Sequence, residues 1–234
     1  MTVRPSSYSP THRALEIAAI ALAGLLAVIV GVRVVRAVED PASAWTAAAG
    51  VIVGYLGADL LSGVVHWAAD TYGSERTPVL GPNFIVPFRN HHADAEDITR
   101  HDFIETNGNS CIVAVPVLGV PLVLLPGPAA APGWLFLWTA LFTLVAAGIA
   151  TNQFHKWAHM PSPPAGVRAL QRLGVILSRE SHLVHHAAPF RTYYCITTGW
   201  LNRPLQRARA HETVERLLAP LGIHAVDDRR SLPR

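Results

Sequence analysis

The sequence predicts an all-α integral membrane protein with about four transmembrane helices, interfacial helices and a histidine-rich di-metal site on the cytoplasmic side. Three observations support this fold class. Half of the 234 residues are hydrophobic, and they are concentrated in four long blocks. Polar segments rich in histidine adjoin these blocks. The two cysteines lie far apart, so the sequence indicates neither a disulfide framework nor a paired zinc motif.

The first two apolar blocks cover residues 14–38 and 42–66. Each is long enough to cross a hydrocarbon core of about 30 Å, which takes about 20 helical residues. The first block is not a typical cleavable signal peptide, because it is long and no small-residue cleavage site is followed by a soluble mature chain. We therefore predict a transmembrane helix in each block.

The third and fourth blocks differ in how clearly they predict a span. The third block, residues 111–125, is shorter than the others, and Pro116 and Pro121 interrupt it. A kinked span and a re-entrant segment therefore stay open as alternatives. A turn rich in proline and glycine follows at residues 126–133. Residues 134–152 form a clear span with aromatic residues at its entry, as membrane interfaces favour.

Charge predicts the orientation of these spans. If all four cross, both termini and both long polar loops share one side, which carries every Lys and Arg except Arg33 and Arg36. The positive-inside rule makes that side cytoplasmic, in a bacterial inner membrane. The net charge is +3, and the basic C-terminal part suits anionic lipid headgroups. No signature of a nucleic-acid binder accompanies it, so we expect no nucleic-acid partner.

Two further helices are predicted outside the spans. Residues 167–177 interleave arginine with apolar residues, which is typical of a helix on the membrane surface. Residues 205–218 predict a charged, solvated last helix. The domain organisation that we expect is an N-terminal tail (1–13), a membrane domain (14–205) and a C-terminal helix and tail (206–234).

Nine of the twelve histidines fall between His66 and His186 and form four clusters. Residues three or four apart share a face of a helix, which applies to three of the clusters. Spans two and four end at the same side, so the four clusters should converge at one membrane depth. The clusters are His66 with Asp70; His91, His92 and His101; His155 and His159; and His182, His185 and His186. We interpret His12, His211 and His224 as surface residues.

The number of histidines indicates the kind of metal site. Neutral imidazole binds zinc, copper, iron and nickel. Nine histidines are too many for one tetrahedral zinc, which takes four ligands. They suit two metals with four or five imidazoles each and an open position for O2. We predict two iron ions (Fe2+/Fe3+) with O2 as co-substrate, because such a site facing alkyl chains can attack unactivated C–H bonds.

Several long motifs carry a resemblance to a known family. The runs lie at residues 66–71, 87–92, 98–108, 151–159 and 182–202; they include the sequences HWAADT, PFRNHH, TNQFHKWAH and HLVHH. The chain resembles the plasmanylethanolamine desaturase family (Kua/CarF-type lipid desaturases) over about residues 59–205. His101 in the sequence HDF favours the ether-lipid branch of this family over its plant acyl-lipid branch.

The resemblance implies removal of two hydrogens from the 1-O-alkyl chain of an ether phospholipid, which gives the vinyl ether bond of a plasmalogen. It implies a membrane phospholipid substrate, and two electrons from a cytochrome b5-like or ferredoxin-like donor protein. Two alternatives stay open: an acyl-lipid desaturase or hydroxylase of the same fold, and a non-enzymatic metal-binding or transport protein. The second alternative is disfavoured because transporters place their ligands near the bilayer midplane.

We expect one set of residues to hold the metals and carry the catalysis, with His101 as either a ligand or a supporting residue. The set is His66, Asp70, His91, His92, His101, His155, His159, His182, His185 and His186. Asp59, Asp94, Asp97, Asp102, Glu105, Asn107 and Asn152 are candidates to orient these ligands through hydrogen bonds. Arg89, Lys156 and Arg191 could hold a lipid phosphate, or could supply general interfacial charge.

Overall fold

The computed structural model of the chain describes residues 9–78, 80–81 and 85–225. These residues form helices and turns, and no strand occurs among them, which confirms the predicted all-α class. Their α-helices, in chain order, are α1 (Pro10–Arg36), α2 (Pro41–Thr71), α3 (Val86–Ala93), α4 (Asp97–Arg100), α5 (Phe103–Leu124), α6 (Pro132–His159), α7 (Ala165–Arg172), α8 (Arg179–His185), α9 (Asn202–Arg207) and α10 (Ala210–Leu218). Residues 1–8 and 226–234 of the two predicted tails lie outside the described residues, and the domain boundaries stay a prediction.

Four helical segments are long and apolar enough to cross a bilayer, as predicted. They are α1, α2, residues 103–130 (α5 with the short 3-10 helix Pro128–Ala130) and α6. Large apolar side chains on their surfaces are exposed; Leu25 and Val28 on α1 are 57% and 63% accessible. Water disfavours such a surface and hydrocarbon does not. The chain is therefore a multi-pass membrane protein.

The second and fourth spans continue beyond their apolar blocks. Helix α2 runs past His66 to Thr71, and α6 runs past residue 152 to His159. The pairs His66/Asp70 and His155/His159 therefore lie on continuous helix, one turn apart on a shared face. This extension gives the metal-binding candidates the rigidity of the spans that carry them.

The third block lies in a continuous helix, α5, that is long enough to cross a bilayer, which favours the predicted span over the re-entrant segment. It begins earlier than the apolar block, because the Asp102 carboxylate caps α5 by accepting a hydrogen bond from the Glu105 backbone N–H at 2.9 Å. Pro116 and Pro121 both lie inside α5. Proline removes a backbone donor, but transmembrane helices tolerate it where neighbouring groups satisfy the freed carbonyls.

The chain divides into two compact units, and unit one comprises residues 9–58 and 101–153 of the described part. Within it α1 packs against α5 through small and apolar side chains, including the buried Ala23, Ala114 and Leu118. Glu16 of α1 is fully buried against Gly108 of α5, where an added Cβ would lie 2.6 Å from the Glu16 side chain. A glycine is thus required for the two helices to approach around this carboxylate.

Unit one also holds a close approach of α2 and α6. Cβ atoms added at Gly50 and Gly54 would each lie 2.8 Å from the Cβ of a threonine of α6, at Thr139 and Thr143 respectively. At Gly54 the added atom would also overlap the carbonyl oxygen of Ala140. Small residues spaced by one turn let transmembrane helices pack at short range, where dispersion contacts hold them together.

We expect Gly54→Ala to lower the thermal denaturation midpoint of the purified protein in detergent by several degrees, because the new methyl group forces α2 away from α6. Gly148→Ala on α6 is the matched control, since its added Cβ has no neighbour within 4 Å. The control should be neutral or slightly stabilising, as glycine to alanine is in open helix. Equal midpoints for the two variants would contradict this account of the packing.

Unit two comprises residues 59–78, 80–81, 85–100 and 154–225 of the described part, and two helix predictions there were wrong in extent. Helix α7 ends at Arg172 instead of residue 177, because Gly174 adopts a left-handed φ of 68° that turns the chain. The predicted last helix is split into α9 and α10 by Arg209, whose φ is 50°. The placement of α7 on the membrane surface stays a prediction.

Candidate metal centre

Nine of the ten predicted site residues lie in unit two and form two groups. Each side chain offers one ligand atom, and within a group these atoms all lie within 4.8 Å of one another. Group one consists of His91, His155, His159, His182 and His186. Group two consists of His66, Asp70, His92 and His185. Helices α2, α3, α6 and α8 supply them, as four converging segments, with His186 at the end of α8.

In group one the Nε2 atoms of five imidazoles converge on one point. The separations between Nε2 atoms of neighbouring rings are 2.8 to 3.1 Å, and His155 and His159 each have three such neighbours. A neutral imidazole has one N–H and one lone pair, so these contacts cannot all be hydrogen bonds. A cation at the shared centre would accept all five lone pairs at once.

The spacing in group one fits a particular coordination geometry. A cation about 2.1 Å from each imidazole nitrogen holds two nitrogens about 3.0 Å apart at a right angle, and about 3.4 Å apart in a tetrahedron. The observed 2.8 to 3.1 Å separations match right angles. Group one therefore suits a five- or six-coordinate cation better than tetrahedral zinc.

Group two combines three imidazoles with one carboxylate. The Asp70 Oδ2 atom lies 3.0 Å from His92 Nε2, 3.5 Å from His66 Nε2 and 3.8 Å from His185 Nε2. The Nε2 atoms of His66 and His185 are buried and make no hydrogen bond within the described residues. A buried polar atom in that state is costly, and a bound cation would satisfy both. The residues therefore fit a second metal ion.

Backbone carbonyls fix the orientation of two group-two rings. His66 Nδ1 donates to the Tyr194 carbonyl at 3.2 Å, and His185 Nδ1 donates to the Thr192 carbonyl at 2.8 Å. A carbonyl oxygen only accepts, so Nδ1 carries the proton and Nε2 presents its lone pair to the group. The sequence does not predict these partners, since a backbone carbonyl has no residue signature.

Burial keeps the loop-side imidazoles neutral, which is the form that binds a metal. Burial, reinforced by neighbouring imidazoles, holds the pKa values of His182 and His186 well below the usual range of histidine. Burial lowers the pKa of His185 to about 3, with His92 as a smaller contribution in the same direction. All three are therefore uncharged at neutral pH, and no proton has to be displaced when a cation binds.

Helix geometry divides the sequence clusters between the two groups. We predicted that His182, His185 and His186 point together, but His182 and His186 belong to group one and His185 to group two. Likewise His91 joins group one and His92 group two. The prediction of four or five imidazoles for each metal holds for group one, whereas group two has three and the Asp70 carboxylate.

Asp59 has a different role from the one predicted, because it anchors a loop. Its fully buried carboxylate accepts the backbone N–H groups of Thr198, Gly199 and Leu201 at 2.8 to 3.1 Å. These contacts hold residues 194–202 against the end of α2. Through that loop Asp59 positions the Tyr194 carbonyl on which the His66 ring depends.

Comparisons with known proteins show which family the chain belongs to. The lipid desaturase domain matches residues 55–225. The chain belongs to the lipid desaturase domain family. It is 48% identical over 217 residues to "Plasmanylethanolamine desaturase" of Myxococcus xanthus, covering 92% of this chain and 75% of that protein. This membership confirms the predicted family.

Two eukaryotic relatives extend the comparison. Identity is 49% over 160 residues with "Plasmanylethanolamine desaturase 1" of Mus musculus, covering 67% of this chain and 59% of that protein. It is 38% over 164 residues with "Fatty acid desaturase 4, chloroplastic" of Arabidopsis thaliana, covering 69% of this chain and 48% of that protein. No solved structure matches the chain.

The structure places the remaining predicted residues elsewhere in the lipid desaturase fold. His101 lies in unit one, outside both groups, with its Nε2 3.8 Å from Glu105; its metal-binding role stays a prediction. The candidate orienting residues have partners outside the two groups: Asp94 and Asp97 bind Arg100, Asp102 binds Arg13, Asn107 donates to the Phe103 carbonyl and Asn152 to the Thr106 carbonyl.

One histidine that we interpreted as a surface residue is half-buried beside the site. The His211 ring of α10 lies 5.3 Å from the Trp67 ring and 4.9 Å from the Tyr194 ring, between centroids. Trp67 also donates to Glu215 at 3.1 Å. The end of α10 therefore covers the segment that carries His66, and the predicted solvated helix is wrong on this face.

We expect the purified protein to bind two metal ions per chain, measured by inductively coupled plasma mass spectrometry. His182→Ala should reduce the metal content to about one ion per chain, because group one loses a central ligand. Asp70→Ala should do the same through group two. The exposed His224→Ala is the matched control and should retain both ions. Full metal content in either site variant would contradict the two-group assignment.

Asp59→Ala should destabilise the loop and release the His66 ring. Each hydrogen bond from an N–H to a buried carboxylate contributes roughly 1.5 to 3 kcal/mol, and Asp59 accepts three. We expect a lower thermal midpoint together with a reduced metal content. Asp59→Asn, which keeps one oxygen acceptor, should show an intermediate loss. Full metal retention by Asp59→Ala would show that the loop does not position His66.

Proposed function

We propose that this chain is an oxygen-dependent di-iron desaturase that introduces the vinyl ether double bond into the 1-O-alkyl chain of an ether phospholipid. The observation that carries the proposal is the pair of adjoining ligand groups, built on the ends of α2 and α6 of a multi-pass membrane protein. Membership of the lipid desaturase family and the names of the bacterial and mouse relatives support it.

The proposed reaction balances as an alkyl ether plus O2, two electrons and two protons, which give a vinyl ether and two molecules of water. Two iron ions, when bound, would supply the oxygen activation that removal of hydrogen from an unactivated alkyl chain requires. The electrons come from a one-electron carrier protein, which we propose to be cytochrome b5-like or ferredoxin-like.

The chain itself contributes orientation, neutrality and exclusion of water. His91, His155, His159, His182 and His186 would hold one ion, and the other four grouped residues the second. Phe88 and Phe190 lie against His66 and His92, at 5.4 and 4.9 Å between ring centroids, and keep the second group apolar on that side.

Iron is preferred over the other metals that imidazole binds. The right-angle spacing of group one disfavours tetrahedral zinc, and zinc has no redox chemistry to offer a desaturase. The carboxylate of Asp70 is a harder ligand than copper(I) sites use. We propose further that the site faces the cytoplasm of a bacterial inner membrane, because four crossings would put every Lys and Arg except Arg33 and Arg36 on the side of the two long polar loops.

A second candidate function is desaturation of an acyl chain. The specific observation in its favour is the similarity to the Arabidopsis protein named fatty acid desaturase. A hydroxylase would use the same ligand groups and is distinguished only by its product. A transport function fits less well, because the ligands lie at span ends and on short helices instead of on broken helices at mid-membrane.

The deciding experiment is lipid analysis of cells that express the protein and are supplied with a 1-O-alkyl phospholipid, grown with and without oxygen. We expect vinyl ethers only in the aerobic culture. His186→Ala should remain in the membrane and form none, while His224→Ala should match the unmodified protein. A new acyl double bond or a hydroxyl group, without vinyl ether, would exclude the ether-lipid assignment.

A further inference from the structure

Three aromatic rings connect group two with α10, the helix that covers it. The Tyr194 ring lies 5.2 Å from the His185 ring and 5.8 Å from the His66 ring, between centroids. The His211 ring of α10 lies 4.9 Å from Tyr194 and 5.3 Å from Trp67. Trp67 also directly follows His66 on α2. These three rings, Trp67, Tyr194 and His211, form an aromatic bridge from α10 to the ligands of group two.

The aromatic bridge closes this side of group two. Trp67 and Tyr194 are 7% and 1% exposed, and the ligands His66 and His185 behind them are 1% and 0% exposed. A lipid chain needs an open passage to reach the ligands, whereas packed rings fill this side. An electron needs no passage, because it tunnels through packed protein at a rate that falls steeply with distance. This side of group two therefore suits the entry of electrons.

The surface outside the aromatic bridge is basic. Helix α9 packs against α10, and the two helices and the turn between them carry four exposed arginines. This basic surface consists of Arg203, Arg207, Arg209 and Arg216. Residues 203–216 also include two glutamates, so the segment has a net charge of +2. Such a charge attracts and steers an acidic partner.

Apolar side chains accompany the arginines on α10. Val214 and Leu217 are 40% and 69% exposed. An apolar centre with a charged rim, in which arginine is frequent, is typical of protein–protein interfaces. The end of the chain therefore has the composition of a docking surface for an acidic protein.

We propose that a one-electron carrier protein with an acidic face docks on the basic surface, and that its electrons reach group two through the aromatic bridge. This inference rests on the proposed function, which consumes two electrons in each turnover. Each encounter oxidises one carrier molecule by one electron and delivers that electron to group two, so two encounters complete a turnover. The three rings form no bond and keep their protons. They shorten the gap across which the electron passes.

An anionic membrane surface would also attract exposed arginines. A lipid contact, however, gives no function to the aromatic bridge, whereas a carrier needs a docking surface and a short path from it to the ligands. The Trp67 Nε1–H donates to Glu215 of α10 at 3.1 Å, which ties the bridge to the helix that carries Arg216. Electron-transfer encounters are transient and use small interfaces, which two short helices can offer.

The first experiment measures docking without turnover. The as-purified protein is placed in nanodiscs of phosphatidylcholine, and a soluble acidic [2Fe–2S] ferredoxin is the probe, with binding followed by biolayer interferometry. The double variant Arg207→Gln/Arg216→Gln should raise the Kd by roughly tenfold, as loss of two solvated ion pairs does. Added salt should weaken binding to the unmodified protein. Arg172→Gln, at an exposed arginine of α7, is the matched control and should bind normally.

The second experiment measures electron transfer through the aromatic bridge. Reduced ferredoxin is mixed anaerobically with the iron-loaded protein, and its oxidation is followed by stopped-flow absorbance at saturating protein. His211→Leu should lose most of this rate while its iron content and its Kd for ferredoxin stay unchanged. His211→Phe restores an aromatic ring at the same position and should recover the rate, which a merely structural role of the imidazole would not predict.

Three results would overturn the inference while leaving the proposed function intact. One is equal affinity for ferredoxin in the double variant and in Arg172→Gln, or no binding to the unmodified protein. Another is a defect of the double variant that appears only in nanodiscs containing phosphatidylglycerol, which would assign the basic surface to anionic lipid. The third is the same oxidation rate in His211→Leu and His211→Phe. Failure of the proposed function gives a different result, namely no vinyl ether from the unmodified protein with any reductant.

Discussion

The structure of unit two depends on bringing together eight imidazoles and one carboxylate, six of these nine side chains buried, so that their ligand atoms converge in two groups. Such a cluster is unfavourable in a protein interior unless each polar atom has a partner. Burial and neighbouring imidazoles lower the pKa values of His182 and His185, so these two rings stay neutral. Neutral rings do not repel one another as cations would, but their lone pairs still need an electrophile. Two metal ions would satisfy this requirement, and the surrounding helices hold the donors in position for them.

The supporting structure acts through the backbone. Asp59 on α2 accepts hydrogen bonds from three backbone N–H groups of the 194–202 loop. Ser62 of α2 accepts a fourth, from the Ile196 N–H at 3.1 Å. The Asn202 side chain makes two hydrogen bonds with the Cys195 backbone. Gly63 permits this close approach, because a Cβ there would lie 2.5 Å from the Cys195 sulfur. These hydrogen bonds fix the loop to α2, the helix that carries His66. The backbone carbonyl of Tyr194 in this loop then orients the His66 ring. Ligand and orienting group therefore keep a fixed separation.

The sequence predicts the parts of this protein that depend on local pattern. Apolar blocks define the four spans, and the one-turn spacing of His155 and His159 predicts their shared direction correctly. Two kinds of feature could not be predicted. Partners made of backbone, such as the carbonyls of Tyr194 and Thr192, leave no residue signature. A non-glycine residue at positive φ, such as Arg209, is not marked by its residue type either, whereas Gly174 is the kind of residue that commonly ends a helix and could have shortened the predicted α7.

The division of neighbouring histidines between two groups follows from the helix itself. Consecutive residues on a helix are about 100° apart, whereas residues four apart lie nearly in line. His91 and His92 therefore face different groups, as do His185 and His186, while the pairs 155/159, 182/186 and 66/70 each serve one group. Helices α3 and α8 consequently contribute to both groups at once. Removal of one side chain affects one group, but a displacement of either helix moves ligands of both. The spacing between the two ligand groups is thus set by two rigid helices, so ions bound to the two groups would keep a constant separation.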